Sequence, residues 1–407
     1  MAEKCKILIA NAGQVFKPQY GESVVLRSIA LLLSRRGYKV NCLSMGNSSE
    51  SIKFGNYSER VVPADFKLGN DFESQGSLKA LFEKFVSDRE NANSNLEFRK
   101  ALEESKPDVV ITTNFMLPHV VDLLPVLTEY KRKQEELRIV VVSNEFQAVY
   151  DFLRAAKRLL GDKEKLEKTE AKIADFSKNC YDLLAKNADA IVYYTDKDRR
   201  RAIARYPGYA SKMNCIQPPL KIGRINSVKK KDVCLTVMFS GNFRHIQNKL
   251  AAENIRKKIA PKVPNVKFIL VGPDAPRYAS SNITSIGSFD KIDEITKGSD
   301  IFIVPVSHDT GILTKLFRPI QTGVPIISTP DAAEGYPAKH MRNMIVEPRI
   351  DKFPRWIHLL EKDTALRSML AKNAVNDMRA YFSDDTVGKR WDVLFRQIRK
   401  ARASETG

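Results

Sequence analysis

Apolar positions along the chain fall into short continuous runs separated by segments with helical spacing, and the two kinds alternate almost from the first residue. KILIANAG, beginning at Lys6, predicts a buried strand. GESVVLRSIALLLSRRG repeats apolar residues at helical spacing and stops at Gly37. YKVNCLSM is the next strand, which closes a βαβ unit and seeds a parallel sheet. DVVITTN (108–114), RIVVVSN (138–144) and ADAIVYYT (188–195) predict three more strands. A long charged helical segment covers 148–186. The polar, weakly patterned region 46–95 reads as an excursion with loops.

The pattern pauses at KMNCIQPPLKIGRINSVKKKD, where a short strand ends in Pro218-Pro219 and a basic connection follows. Paired prolines and charge runs mark linkers, so a boundary is expected here. A second alternating series then begins. VCLTVMFSGN, VKFILVGPD, NITSIGSF, IFIVPVS and VPIIST predict strands, and NKLAAENIRKKIAPKV, KIDEITKGSD and ILTKLFRPIQTG predict helices. The predicted fold class is α/β, with two tandem Rossmann-like doubly wound domains. Residues 1–218 form the first and 219–383 the second, with a helix and tail over 384–407. That last helix carries Trp391, Leu394, Phe395 and Ile398 on one stripe, which could pack on either domain or cross back to the first.

A chain of 407 residues exceeds what one compact core usually serves, and 43% apolar content supports globular cores. Lys and Arg number 67 against 48 Asp and Glu, a net charge of +19. Such an excess suits polyanions, namely nucleotides, nucleic acid or an anionic membrane face, and is equally compatible with a solvated basic surface. The five cysteines are scattered, with no CxxC or Cys/His cluster, which suggests neither a disulfide framework nor a zinc site and fits a reducing cytoplasm. The first residues hold too short an apolar run for a signal peptide, and no run approaches a membrane span. Any membrane contact is therefore expected to be peripheral. Residues 149–172 mix aromatics, leucines and cations as a helix lying on an anionic bilayer would, although such a stripe more often faces its own core.

In open α/β sheets, ligands sit at the carboxyl ends of strands, where helix N-termini offer free N–H groups. Three such places stand out in the second half. In FSGNFRHIQNK, Gly241 follows a strand, and Arg244 and Lys249 could pair with phosphate. In VGPDAP and IGSFD, Gly287 and Phe289 could hold a flat base. In the loop after IFIVPVSHD, Gly311 opens a predicted helix whose first N–H groups (Ile312, Leu313, Thr314) could face a diphosphate, with Lys315 adding a point charge. Each place is also compatible with an ordinary strand-to-helix turn, and Phe289 with a core aromatic. In the first half, His119, Asn144 and Glu145 follow strands. Glu145 is the best acid to touch an acceptor or sugar, or else a surface acid at a helix start.

Taken in order, these motifs resemble the group 1 glycosyltransferases of the GT-B fold, the large retaining family that includes glycogen and sucrose-phosphate synthases. The resemblance spans nearly the whole chain and is strongest from FSGNFRHIQNKLAAENI through GILTKLFRPIQTGVPIIST to AAEGY. It implies two domains facing a cleft, a nucleoside-diphosphate sugar on the second and a glycan or lipid-linked acceptor on the first. Carried over, Gly241 with Arg244 and Lys249 lies near the diphosphate. Gly287 to Phe289 lie by the base, and Gly311, Ile312, Leu313 and Lys315 meet the phosphates. Gly21 approaches the transferred sugar, and Glu334 keeps a family-like position without an assigned role.

Two departures stand out. The family usually has a glutamate three residues after Lys315, accepting from ribose hydroxyls, where this chain has Arg318, which has no acceptor. The cation that often follows the first glycine is Asn242. Arg244, Lys249 or Arg318 itself could then supply the missing charge. No Asp-x-Asp metal motif occurs and no cofactor is expected. The implied protein is a metal-independent hexosyltransferase of the cytoplasm, at the inner face of the membrane when it contacts one. A second expectation is a GT-B protein that has lost catalysis and serves as a scaffold. A third, nucleic-acid binding, is disfavoured because the cations are dispersed and no aromatic-rich recognition motif occurs.

Overall fold

The computed structural model describes residues 4–11, 15, 21–46, 49–63, 92–113, 126–143, 181–182, 184–220, 234–278, 280–288, 290–307 and 311–403. These form two compact units. Described residues of the first lie within Met1–Gln147, Gly161–Pro219 and Asp384–Gly407, and those of the second within Leu220–Ser383.

The first unit is built on an eight-stranded sheet in the order β3-β4-β2-β1-β5-β6-β7-β8. Its strands are β1 (Lys6–Asn11), β2 (Lys39–Gly46), β3 (Glu50–Phe54), β4 (Tyr57–Pro63), β5 (Val109–Thr113), β6 (Arg138–Ser143), β7 (Ala190–Tyr193) and β8 (Met213–Cys215). All pairings are parallel except β3 with β4. Every residue of β5, β6 and β7 is buried, because a parallel sheet is covered on both faces and its strands read as unbroken apolar runs. Leu8, Val110, Ile139, Val141 and Ile191 meet Phe98 and Leu102 of the helix Ala92–Ser105 in one core.

The region expected to be an excursion with loops contains the β3–β4 hairpin and the start of that helix, which corrects the sequence reading of 46–95. The hairpin lacked an apolar signal because β4 spends core positions on polar groups. Glu59 is buried there, accepting from the Tyr57 hydroxyl and the Val15 N–H, each at 2.8 Å, and from the Ser44 hydroxyl. A buried carboxylate is tolerated only with such satisfaction.

The last helix, Asp384–Ala403, belongs to the first unit. Its apolar stripe is buried: Trp391, Leu394, Phe395 and Ile398 are each under a tenth exposed. Phe395 meets Tyr38 edge to face at 5.4 Å. The buried Arg138 guanidinium donates through Nε to the Ile398 carbonyl at 2.9 Å. Asp392 accepts from the Tyr38 hydroxyl at 2.7 Å and from Arg36.

The second unit carries a six-stranded parallel sheet in the order β11-β10-β9-β12-β13-β14. Its strands are β9 (Thr236–Ser240), β10 (Lys267–Val271), β11 (Ile283–Ile286), β12 (Ile301–Val304), β13 (Ile326–Ser328) and β14 (Ile345–Val346). The chain starts in the middle, winds outward to β11, then crosses to β12 and winds the other way. That is the doubly wound Rossmann order, in which the direction of travel reverses between β9 and β12. Two helices, Phe353–Lys362 and Thr364–Tyr381, close the unit, the second capped by the Asp363 carboxylate on the Leu366 N–H at 2.7 Å.

Burial alone would raise the Asp392 carboxyl, but the hydrogen bonds from Arg36 and Tyr38 outweigh it and hold the group below its ordinary range. A depressed carboxyl stabilises the fold above its unfolded value, near pH ~3.9, and loses that contribution as pH falls through the lower folded value. Asp392→Asn should therefore cost about 1.5–3 kcal/mol at neutral pH, the range for hydrogen bonds to charged groups. The deficit should shrink towards zero in acid, as followed by urea unfolding at a series of pH values.

Candidate functional site

The site lies at the carboxyl ends of β9 and β12, where diverging connections leave a crevice beside the sheet. After β9 the chain turns at Gly241 and enters the helix Ile246–Asn254. The Gly241 N–H donates to the Val271 carbonyl at 3.0 Å and the Phe243 N–H to the Pro273 carbonyl at 2.9 Å. The turn is thereby fixed against the end of β10.

Asn248 organises this corner. It is 4% exposed, and its side-chain amide is used at both ends. Nδ2 donates to the Asn242 carbonyl at 2.7 Å, and Oδ1 accepts from the Lys315 ammonium. Lys315 Nζ also stands 4.9 Å from the centre of the buried Phe239 ring, within cation–π range. The slot holding the Asn248 amide exists only because residue 241 is glycine. A Cβ there would lie 2.6 Å from Asn248 Cγ and 2.8 Å from Oδ1.

Lys315 arrives from β12. Gly311 has φ +69°, in the left-handed region that favours glycine. The helix expected to open at Gly311 does not form there. Leu313 is extended, a short 3-10 turn covers Thr314–Leu316, and the α-helix runs Phe317–Thr322. Pro319 explains the shift. It has no N–H to donate and is tolerated only in the first turn, so the α-helix begins two residues before it. The N–H groups of Ile312, Leu313 and Thr314 are thus not a helix N-terminus. The Leu313 carbonyl is instead held by the Tyr336 hydroxyl at 2.6 Å. Tyr336 belongs to the AAEGY segment, and burial keeps its phenol well above the usual tyrosine value.

The structure therefore brings Gly241 and Lys315 together on Asn248. Arg244 pairs with Asp274, Nε to Oδ2 at 2.5 Å, in a solvent-exposed bridge. Lys249 is exposed on the helix beside the buried Asn248. Gly287 follows β11 with open space around it. Ile312 is buried and Leu313 half-buried. Arg318 pairs with Asp293, Nε to Oδ1 at 2.8 Å. Glu334 is half-buried beside Gly335. Gly21 begins the helix Gly21–Arg35 of the first unit. His119, Asn144, Glu145, Phe289 and the helix expected over 149–172 lie outside the described residues.

Asn248 was missed from sequence, yet a signal exists. Residues 248, 251, 252, 255 and 259 share the buried phase of one helical stretch, and the other four are Ala, Ala, Ile and Ile. An amide in an apolar phase indicates a specific polar partner. Among the described residues no group of three or more His, Cys, Asp or Glu could hold a metal ion, and no helix is long and apolar enough to cross a membrane.

Residues 234–358 match the family model described as Glycosyl transferases group 1. No curated protein matches the sequence. Similar solved structures include sucrose-phosphate synthase from Thermosynechococcus elongatus, 13% identical, with TM-score 0.72 over 98% of this chain and 100% of that one. Anabaena HepE in complex with UDP and glucose is 12% identical, with TM-score 0.62 over 96% of this chain and 99% of that one. WaaG, a glycosyltransferase involved in lipopolysaccharide biosynthesis, is 14% identical, with TM-score 0.55 over 95% and 98%. These likenesses establish the fold as GT-B.

Gly241→Ala should evict the Asn248 amide from its slot and destabilise the protein by about 1–3 kcal/mol, the usual cost of overpacking. In an Asn248→Ala background the added methyl has room, so the same change should cost less. A urea-unfolding double-mutant cycle should show coupling above about 0.5 kcal/mol.

Proposed function

We propose that this chain, a glycosyltransferase of the GT-B fold and group 1 type, transfers a sugar from a nucleoside diphosphate to a glycan or lipid-linked acceptor, with retention at the anomeric carbon. The observation that carries this reading is the Gly241–Asn248–Lys315 corner at the reversal point of the second sheet. In this reading residues 219–383 hold the donor and residues 1–218 the acceptor. Lys315 faces the diphosphate, and the exposed cations Arg244 and Lys249 lie along the chain beside Gly241 and Asn248.

The chemistry asks little of protein bases. The bond between anomeric carbon and phosphate oxygen breaks with its electron pair leaving on the diphosphate. The acceptor oxygen forms the new bond, and its proton passes to the departing phosphate. Negative charge grows on the diphosphate, so a fixed ammonium stabilises the transition state more than the ground state. The Asn248 amide and Phe239 ring fix Lys315 in advance, which removes reorganisation from the barrier. This scheme requires no metal. Glu145 and His119 are assigned to the acceptor side, and Gly287 with Phe289 to the base. The charge of +19 suits an enzyme at the inner, anionic face of a membrane, in contact with it peripherally.

A second reading, a GT-B protein without catalysis that serves as a scaffold, is motivated by Arg318 at the position where the family carries an acid. The two readings part on turnover. Thermal-shift screening against UDP-, GDP- and ADP-sugars should find a donor that raises the unfolding temperature, since a ligand bound only to the folded state stabilises it. Lys315→Ala should then lower kcat/KM for that donor by about 10²-fold or more, mostly in kcat. Donor binding without hydrolysis or transfer to any acceptor favours the scaffold. No binding and no turnover with any sugar nucleotide contradicts both uses of the site.

A further inference from the structure

Arg318 stands where the resemblance to group 1 glycosyltransferases expects an acid, and a guanidinium offers donors only. The structure shows what stands beside it. Arg318 Nε lies 2.8 Å from Oδ1 of Asp293, on the first turn of the neighbouring helix Ile292–Gly298. The Asp293 side chain is 68% exposed and that of Arg318 38%. Among the described residues no other group pairs with this carboxylate. Oδ1 therefore faces Arg318, and most of the Asp293 side chain is open to solvent.

Stability does not account for the pair. An exposed ion pair contributes about 0–1 kcal/mol, and holding two side chains in one geometry offsets much of that. Nor is Arg318 an unencumbered anion hook, because Asp293 neutralises it. The pair does place a carboxylate beside the arginine that stands where the resemblance expects an acid. Two other acids near this end of the sheet fit the role less well. Asp274 is committed to Arg244, and Glu334 lies beyond β13. Asp293 also follows the segment containing Gly287, to which the base is assigned, so it lies along the chain between the base and Arg318.

We propose that Asp293 accepts a hydrogen bond from a ribose hydroxyl of the donor nucleotide, with Arg318 as the clamp that orients it. The acid has moved to the adjacent helix, and the arginine has become its support. The chemistry is that by which a nucleotide site recognises ribose: a carboxylate, acceptor only, receiving the O–H of a sugar hydroxyl. This inference rests on the nucleotide-sugar reading of the site, and the test separates the two.

The test is titration calorimetry on the full chain with UDP, GDP and ADP, followed by the 2′-deoxy and 3′-deoxy forms of whichever binds best. Wild type should bind the ribonucleotide at least about tenfold more tightly than one of the deoxy forms, the effect of a hydrogen bond to a charged group. Asp293→Ala should bind the ribonucleotide and that deoxy form within about twofold of each other. Its affinity for the deoxy form should stay near the wild-type value. Asp293→Asn, measured alongside, should discriminate less than wild type because its acceptor is uncharged. Wild-type binding without discrimination overturns this inference alone. So does an Asp293→Ala variant that still discriminates, or one that weakens both nucleotides equally, as a merely structural residue would. Failure of wild type to bind any of the three nucleotides overturns the nucleotide-sugar reading and this inference with it.

Discussion

The second unit depends on one topological constraint: its chain begins in the middle of its own sheet. A parallel sheet must be wound with helices on both faces, so a chain starting at β9 runs out to β11 before returning to the other side at β12. The connections after β9 and β12 then diverge, and the crevice between them is left to loops. Everything proposed for this protein's donor is built there. The parts are a glycine that makes room, an amide that fills the room, and a lysine held by that amide.

Two kinds of polar contact coexist around this crevice, and they do different work. Inside, the Asn248 amide and the Tyr336 hydroxyl are buried and satisfied, so each fixes a backbone or a charge at a definite position. Outside, Arg244 with Asp274 and Arg318 with Asp293 are exposed bridges that contribute little to stability. The inner contacts set the shape of the site. The outer ones lie at the surface, where an incoming ligand can reach them. The first unit repeats the doubly wound order and adds a buried carboxylate, Glu59, that reaches from the sheet to the Val15 backbone.

The sheet strands were legible because parallel strands covered on both faces leave unbroken apolar runs, as at Val109–Thr113 and Ile301–Val304. The β3–β4 hairpin was not, because Glu59 holds a core position and the strand alternates polar residues through its first half. The helix start after Gly311 was misread because helical spacing alone does not register what Pro319 forbids. Of the candidate site, Gly241 and Lys315 were visible as residue types suited to a close turn and a phosphate. Asn248 and Asp293 were not, since their significance lies in partners far away in sequence, Lys315 for one and Arg318 for the other.

In the reading proposed above, the second unit holds a nucleoside diphosphate at the reversal point of its sheet. Hydrogen–deuterium exchange with and without saturating UDP, GDP or ADP tests it most directly. Exchange should slow on binding at residues 241–249 and 311–318, with the amides around β14 unchanged. Protection confined to other segments, or none while the nucleotide is demonstrably bound, would contradict it.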